Sequence, residues 1–333
     1  MADNQGVMVV AEVADGALSG ISAELLGVGR CLADGLGEPL MAVVMGKGIA
    51  GFGNALLALG ADCVLAVDDA LLEKYQADAY VAALEKVVKE HTPNVLLLGH
   101  TATGRELAPR LAFRLKTGLT TDCIDLNLHP DSKLMLATKP VYGGNAQAVY
   151  ICEASSPQMA TIRSKAICPA VADASRKGEV ITVSAGIDAS VVRARVVDKV
   201  KAEVEGVRLE DAPIVVSAGR GVGSVENMHM VEALAKILGA AIGGSRGAVD
   251  SNIIPSTLQI GLTGKIVSPD LYVAIGISGA LQHMAGCSGS KTVVAVNRDA
   301  DAPIFKMAHY GVVGDFKKVL PVLAAACKEL LAS

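Results

Sequence analysis

The sequence contains no tryptophan, and aromatic residues make up only 3% of it. Proteins that grip single-stranded nucleic acid stack bases on aromatic rings, so that function has little to work with here. Lysine and arginine, 30 in all, are outnumbered by 34 aspartates and glutamates and are not clustered; the formal net charge is −4. The basic stripe that would follow a phosphate backbone is therefore missing as well, and no nucleic-acid partner is expected. No apolar run approaches the ~20 residues of a membrane helix. Runs such as VLLLG at 95–99 have the length of a strand, so no membrane insertion is expected. The seven cysteines (Cys31, Cys63, Cys123, Cys152, Cys168, Cys287 and Cys327) contain no CxxC pair and are odd in number. Reduced, mostly buried thiols fit this spacing better than a disulfide framework or a metal site. The opening residues MADNQGVMVVAEV show no basic region ahead of an apolar core and no small-residue cleavage site. The expected location is the cytoplasm.

What the chain does have is apolar residues and glycine: 51% hydrophobic and 35 glycines in 333 residues. That length allows two domains, each with its own core. Strand-like runs at 7–13, 40–46, 61–69 and 95–99 alternate with amphipathic stretches at 21–36, 78–91 and 103–116. The runs are too apolar to be half exposed, which predicts a parallel sheet covered on both faces. CIDLNL, KLMLAT, AQAVYIC and QMATIR follow as short segments, expected to be antiparallel or edge strands. ITVSAGIDASVVRARVVDKVKAEV (181–204) reads as an extended arm, and the polar EGVRLEDAP ends at Pro213. A second strand–turn–helix series starts there, with a helix at 225–239, strands at 240–243, 271–276 and 292–296, and a final helix at 316–331. The expected fold class is α/β in two domains, 1–205 and 206–333, each a mainly parallel doubly wound sheet with helices on both faces.

Three sets of glycine turns compete for a functional reading. GKGIAG at 46–51 is a literal GxGxxG after a strand, with Asp68 about 20 residues on, as dinucleotide binding would require. Against it, the turn follows the second strand instead of opening the first βαβ unit. GHTATGRE (99–106) lacks the Lys-Ser/Thr pair of a phosphate loop, and Thr101 or Thr103 serves better as a helix cap. The third set is SAGRGVGS (217–224), GGSRGAVD (243–250), QIGLTGK (259–265), GISGALQH (276–283), VAVN (294–297) and YGVVGD (310–315). Each lies at or near a predicted strand end and joins glycine to a polar or cationic residue. In an open parallel sheet those ends form the ligand crevice, so one extended ligand with phosphate, hydroxyls and a flat ring is expected. From these residues alone, a nucleotide sensor or a stand-alone dehydrogenase using GKGIAG stays open.

The segment LYVAIGISGALQHMAGCSGSKTVVAVNRDADAPIFKMAHYGVVGDFKKVLPVL resembles the C-terminal signature of the electron transfer flavoprotein alpha subunit. GHTATGRELAPRLAFRLKTGLTTDC and PQMATIR resemble that family's N-terminal motifs, so the likeness covers nearly the whole chain. It implies FAD in the C-terminal domain and an N-terminal domain that packs on a beta subunit. It further implies that Arg220 contacts the cofactor, that Arg246 with Ser245 lies over the flavin ring, and that Gln259 and Thr263 flank the ring, with Gly264 allowing close approach. Ser278, Gly279, Gln282 and His283 would hold ribityl and phosphate groups, His283 facing the flavin O2, and Asn297 and Asp315 would lie at the adenosine end. Arg246 and His283 would favour negative charge on the reduced flavin. Leu262 stands where many members have a glutamine, and SNII (251–254) where many have a tryptophan. The resemblance implies an electron carrier that is not a stand-alone enzyme. Its redox partner would be an acyl-CoA dehydrogenase or a quinone oxidoreductase. Two modes are open. In a bifurcating complex NADH is oxidised at a second FAD in the beta subunit. In a conventional shuttle the beta subunit holds AMP and electrons come from acyl-CoA dehydrogenases. The departures favour the former.

Overall fold

The computed structural model describes residues 4–144, 146–194, 196–198 and 208–332. The chain divides into two compact units: one holds residues up to 200 except 141–146, and the other holds the remainder. The expected boundary at 205/206, and the last residues of the expected arm (199–204), lie outside the described residues.

In the first unit, β1 (Val7–Ala11) leads through the two-residue strands β2 (Val13–Ala14) and β3 (Ala17–Leu18) into α1 (Gly20–Leu36). Ile21, Leu25, Val28 and Leu32 recur along one face of α1 and are buried. Gly37 then stops the helix in the left-handed region at φ 70. β4 (Leu40–Gly46), α2 (Gly53–Ala58), β5 (Cys63–Asp68), α3 (Ala77–His91), β6 (Val95–Gly99) and α4 (Ala102–Leu115) continue the alternation. β7 (Leu119–Cys123), β8 (Asp125–Leu128), β9 (Met135–Val141), β10 (Ala146–Ile151), β11 (Gln158–Ile162) and β12 (Glu179–Val183) follow. Seven strands form one parallel sheet in the order β12-β5-β4-β1-β6-β11-β7. Val7 and Val9 pack on one face with α1, while Met8 and Val10 pack on the other with α3 and α4. That alternation is the strand pleat with both faces buried.

QMATI corrects the reading of the short segments. It is β11, an interior parallel strand between β6 and β7, buried along its whole length. β8, β9 and β10 do form a separate three-stranded sheet, with β8 antiparallel to β9. The start of the expected arm is β12, paired in parallel with β5 at the other edge.

The second unit contains β13 (Ile214–Ala218), α5 (Met228–Leu238), β14 (Ala241–Gly244), α6 (Arg246–Asp250), β15 (Leu271–Ile275), α7 (Leu281–Met284), β16 (Thr292–Asn297), β17 (Tyr310–Val313) and α8 (Phe316–Ala332). Its sheet is parallel throughout, in the order β14-β13-β15-β16-β17. Helices α5 and α8 cover Val216, Val273 and Ile275. The opposite face, with Val215, Tyr272 and Ala274, is covered by α7, by the 303–306 turn and by loop residues such as Ile260 and Val267.

Leu97 sits fully buried on the interior strand β6. Leu97→Ala is expected to destabilise the first unit by about 2–5 kcal/mol. Because the chain has no tryptophan, far-UV circular dichroism during urea unfolding is the measurement; an unchanged midpoint would contradict the assigned core.

Candidate functional site

Strand order alone locates a crevice. In the second sheet the chain runs from β13 outward to β14, then crosses to β15 on the other side. At such a switch point the loops leaving two neighbouring strands diverge and open a cleft beyond their carboxyl ends. Here the loops are Gly219–Gly223 after β13 and Gly276–Ala280 after β15. Gly219 N–H donates to Ile275 O (2.7 Å) and Gly221 N–H to Gly276 O (3.0 Å), so the two turns lie backbone to backbone. A side chain at Gly219 would meet the Gly276 carbonyl, and Gly276 itself has φ +63. Glycine is required at both places for steric reasons.

A cavity of about 750 Å³ opens on these turns. Of the twelve residues expected to bind the cofactor, Arg220, Ser245, Arg246, Gln259, Thr263, Ser278, Gln282, His283 and Asn297 line it. Asp315 lines an adjoining cavity of about 340 Å³, which shares Gly221, Gly276, Asn297 and Arg298 with the first. Gly264 and Gly279 line neither; they shape the turns behind the wall. Gly264 packs on the Gln259 carbonyl and Gly279 on the Ile304 backbone.

Each lining residue is held by its own local structure. Ser245 and Arg246 open the short helix α6, and the exposed Arg246 reaches Asp250 at 3.5 Å. Gln259 Nε2 donates to Thr263 Oγ1 (3.0 Å) across a tight loop in which Gly264 N–H donates to Gly261 O (3.0 Å). Asn297 Nδ2 donates to Ile277 O (2.9 Å) and Asn297 Oδ1 accepts from Asp299 N–H (3.0 Å), tying the end of β16 to the glycine turn. Asp315 Oδ1 accepts from Lys317 N–H (2.9 Å) at the start of α8.

Two expectations change here. The helix that begins within GISGALQH is a single turn, four residues long, from Leu281, so the expected phosphate contact at Ser278 has no long helix dipole behind it. In its place, the backbone N–H groups of Ile277, Ser278, Gly279 and Ala280 are uncommitted among the described residues. Consecutive free N–H groups in a turn suit a phosphate. His283, expected to face the flavin O2, is 6% exposed and has both ring nitrogens engaged inside the protein. Nδ1 lies 3.1 Å from Ile260 O and Nε2 lies 2.9 Å from the Tyr272 hydroxyl. Burial pushes its imidazole down to about 4, so it is neutral near pH 7.

The other glycine motifs are filled by the chain itself. The Asp68 carboxylate accepts from Gly48 N–H (2.9 Å) and Ile49 N–H (3.2 Å), taking the place that a phosphate would occupy in the GKGIAG turn. Thr101 caps α4, its Oγ1 accepting from Gly104 N–H at 3.0 Å. At the switch point of the first sheet, between β1 and β6, the half-buried Glu12 accepts from Thr101 Oγ1 at 2.7 Å, and desolvation raises its carboxyl above the usual range. His100, Thr161, Asp122 and Arg163 bond among themselves nearby. Arg298, which lines these two cavities, was missing from the expected residues; it is a lone cation directly after a strand end.

The free N–H groups, the backbone-close glycines and the arginines on the rim fit a dinucleotide-sized cofactor with a pyrophosphate. Asn297→Asp would place a carboxylate against the Ile277 carbonyl and loosen that turn. FAD affinity, measured by absorbance after equilibrium dialysis, is expected to fall at least about tenfold; undiminished affinity would show that the turn does not hold the cofactor.

Comparison with known proteins agrees with this geometry. Residues 7–188 match the electron transfer flavoprotein domain, and residues 208–288 match the electron transfer flavoprotein FAD-binding domain. The electron transfer flavoprotein subunit alpha of Thermoanaerobacterium thermosaccharolyticum is 43% identical over 330 residues, covering 99% of this chain and 100% of the relative. That of Bacillus subtilis is 42% identical over 325 residues, covering 97% of this chain and 98% of the relative. The acryloyl-CoA reductase electron transfer subunit beta of Anaerotignum propionicum is 37% identical over 350 residues, covering 97% and 95%. With FAD-type chemistry expected in the second unit and both units matched, the chain belongs to the electron transfer flavoprotein alpha-subunit family and binds FAD.

Proposed function

We propose that this chain pairs with a beta subunit in a bifurcating complex, in which electrons from NADH enter through a beta-subunit flavin and leave through the FAD of this chain to an acyl-CoA dehydrogenase-type partner. The observation that carries the electron-transfer part is the switch-point cavity, lined by Arg220, Arg246 and Arg298 and floored by uncommitted backbone N–H groups. Two further points support the finer reading. Leu262, half exposed on the cavity wall, leaves that stretch apolar where the family resemblance leads one to expect an amide. One relative is named as an acryloyl-CoA reductase electron transfer subunit.

When bound, FAD supplies the electron-carrying chemistry. The chain's own residues bind, orient and tune. Ile277–Ala280 offer N–H groups to a pyrophosphate, and the Asn297 amide holds that turn in place. Arg246, on the rim, supplies a fixed positive charge that favours added electrons. The Gln259–Thr263 bond presents the threonine hydroxyl on the cavity wall as an oriented polar group. His283, neutral and doubly bonded, forms a rigid part of the wall.

An anaerobic titration of the heterodimer tests this reading. Two FAD per heterodimer, with prompt bleaching by NADH, are expected. One FAD with no response to NADH, but reduction through an acyl-CoA dehydrogenase, would replace bifurcation by a conventional shuttle.

A further inference from the structure

Beneath the cavity lies a buried polar cluster that the binding residues do not account for. Tyr272, on β15, is fully buried, with its ring among Val215, Ile260, Ala274 and Met284. Its hydroxyl is 2.9 Å from His283 Nε2. The other imidazole nitrogen, Nδ1, is 3.1 Å from the Ile260 carbonyl. A carbonyl can only accept, so Nδ1 carries the proton, Nε2 is bare, and the Tyr272 O–H donates to it. Ser217, on the neighbouring strand β13, is also fully buried, and its Oγ makes no well-directed hydrogen bond. It nevertheless lies beside the Tyr272 hydroxyl, as does the thiol of Cys287. A buried hydroxyl left without a good partner is costly and calls for a reason.

We propose that Tyr272 is a positioning residue for the flavin site: its hydroxyl fixes His283 as the Nδ1–H tautomer and, by turning to Ser217, lets that imidazole take up a proton without moving. The proposal rests on the reading of the cavity as the FAD site. In the resting arrangement Tyr272 O–H donates to Nε2. When negative charge arrives in the cavity, a proton from solvent bonds to Nε2. The Tyr272 O–H bond stays intact and swings to Ser217 Oγ, and the phenol oxygen accepts from the new Nε2–H. The orphaned serine oxygen is thus the acceptor that the second arrangement needs. Without it, protonated His283 would force the phenol proton into a buried space with only a thiol to receive it.

The charged and titratable groups around the pair are few. Cys287 follows α7, its thiol pushed up to about 12 by burial. Arg220, Arg246, Arg298 and Asp299 line the cavity, and the Lys265–Glu210 ion pair (3.0 Å) lies beyond Ile260. Among the described residues none of these bonds to either imidazole nitrogen, so the tyrosine and the Ile260 carbonyl govern the tautomer.

Two readouts on the FAD-loaded heterodimer test the proposal. Nitrogen-15 correlation spectra of labelled histidine should show His283 protonated at Nδ1 and bare at Nε2. Ser217→Ala and Tyr272→Phe should each weaken acceptance of the first electron about tenfold, a shift of about 59 mV to more negative potential, with FAD still bound. Ser217 does not line the cavity, so a serine that only packs the core would leave the potential where it is. If Tyr272→Phe does not fold, Ser217→Ala decides. An Nε2–H tautomer, or an unchanged potential in Ser217→Ala, would overturn the proposal while leaving the site intact. Failure of the unsubstituted heterodimer to bind FAD would overturn the site assignment and the proposal with it.

Discussion

The second unit depends on one close contact, the packing of the turn after β13 on the turn after β15. Two backbone hydrogen bonds join them, from Gly219 to Ile275 and from Gly221 to Gly276. A Cβ at either end of that contact would strike a peptide group. Because the turns are spent on each other in this way, the N–H groups of Ile277 to Ala280 meet no acceptor among the described residues. Asn297 then fixes the same turn from β16. The cavity is a consequence of strand order and glycine placement, and the side chains that line it are additions to that frame.

The first unit has the same kind of sheet and the same kind of switch point, but there its own side chains bond to one another. Glu12 and Thr101 bond across the corresponding edge, and Asp68 satisfies the N–H groups of the neighbouring glycine turn. An acidic side chain at each place does internally what an anionic ligand would otherwise do. Two sheets of one class therefore differ in function because of which residues end their strands.

The parallel strands were legible because they are buried on both faces and read as continuous apolar runs, as in VMVVA and LMAVVMG. One helix start was legible through Thr101, whose capping chemistry is local. QMATI was misread because its partners β6 and β7 come much earlier in the chain, and parallel pairing leaves no nearby turn to announce it. The cavity residues were readable as polar groups beside glycines and, more sharply, through family resemblance. The internal bonding of His283 was not readable, since Tyr272 and Ile260 reach it only in the folded unit. Arg298 escaped notice although it directly follows Asn297, because a lone cation after a strand carries no pattern of its own.

Amide hydrogen exchange of the heterodimer, stripped of FAD and then reloaded, tests the central claim most directly. The account predicts that added FAD slows exchange of the Ile277–Ala280 amides, while Gly48 and Ile49, already bonded to Asp68, stay unchanged. Unaltered exchange at 277–280 alongside new protection elsewhere would show that the glycine contact does not build the cofactor site.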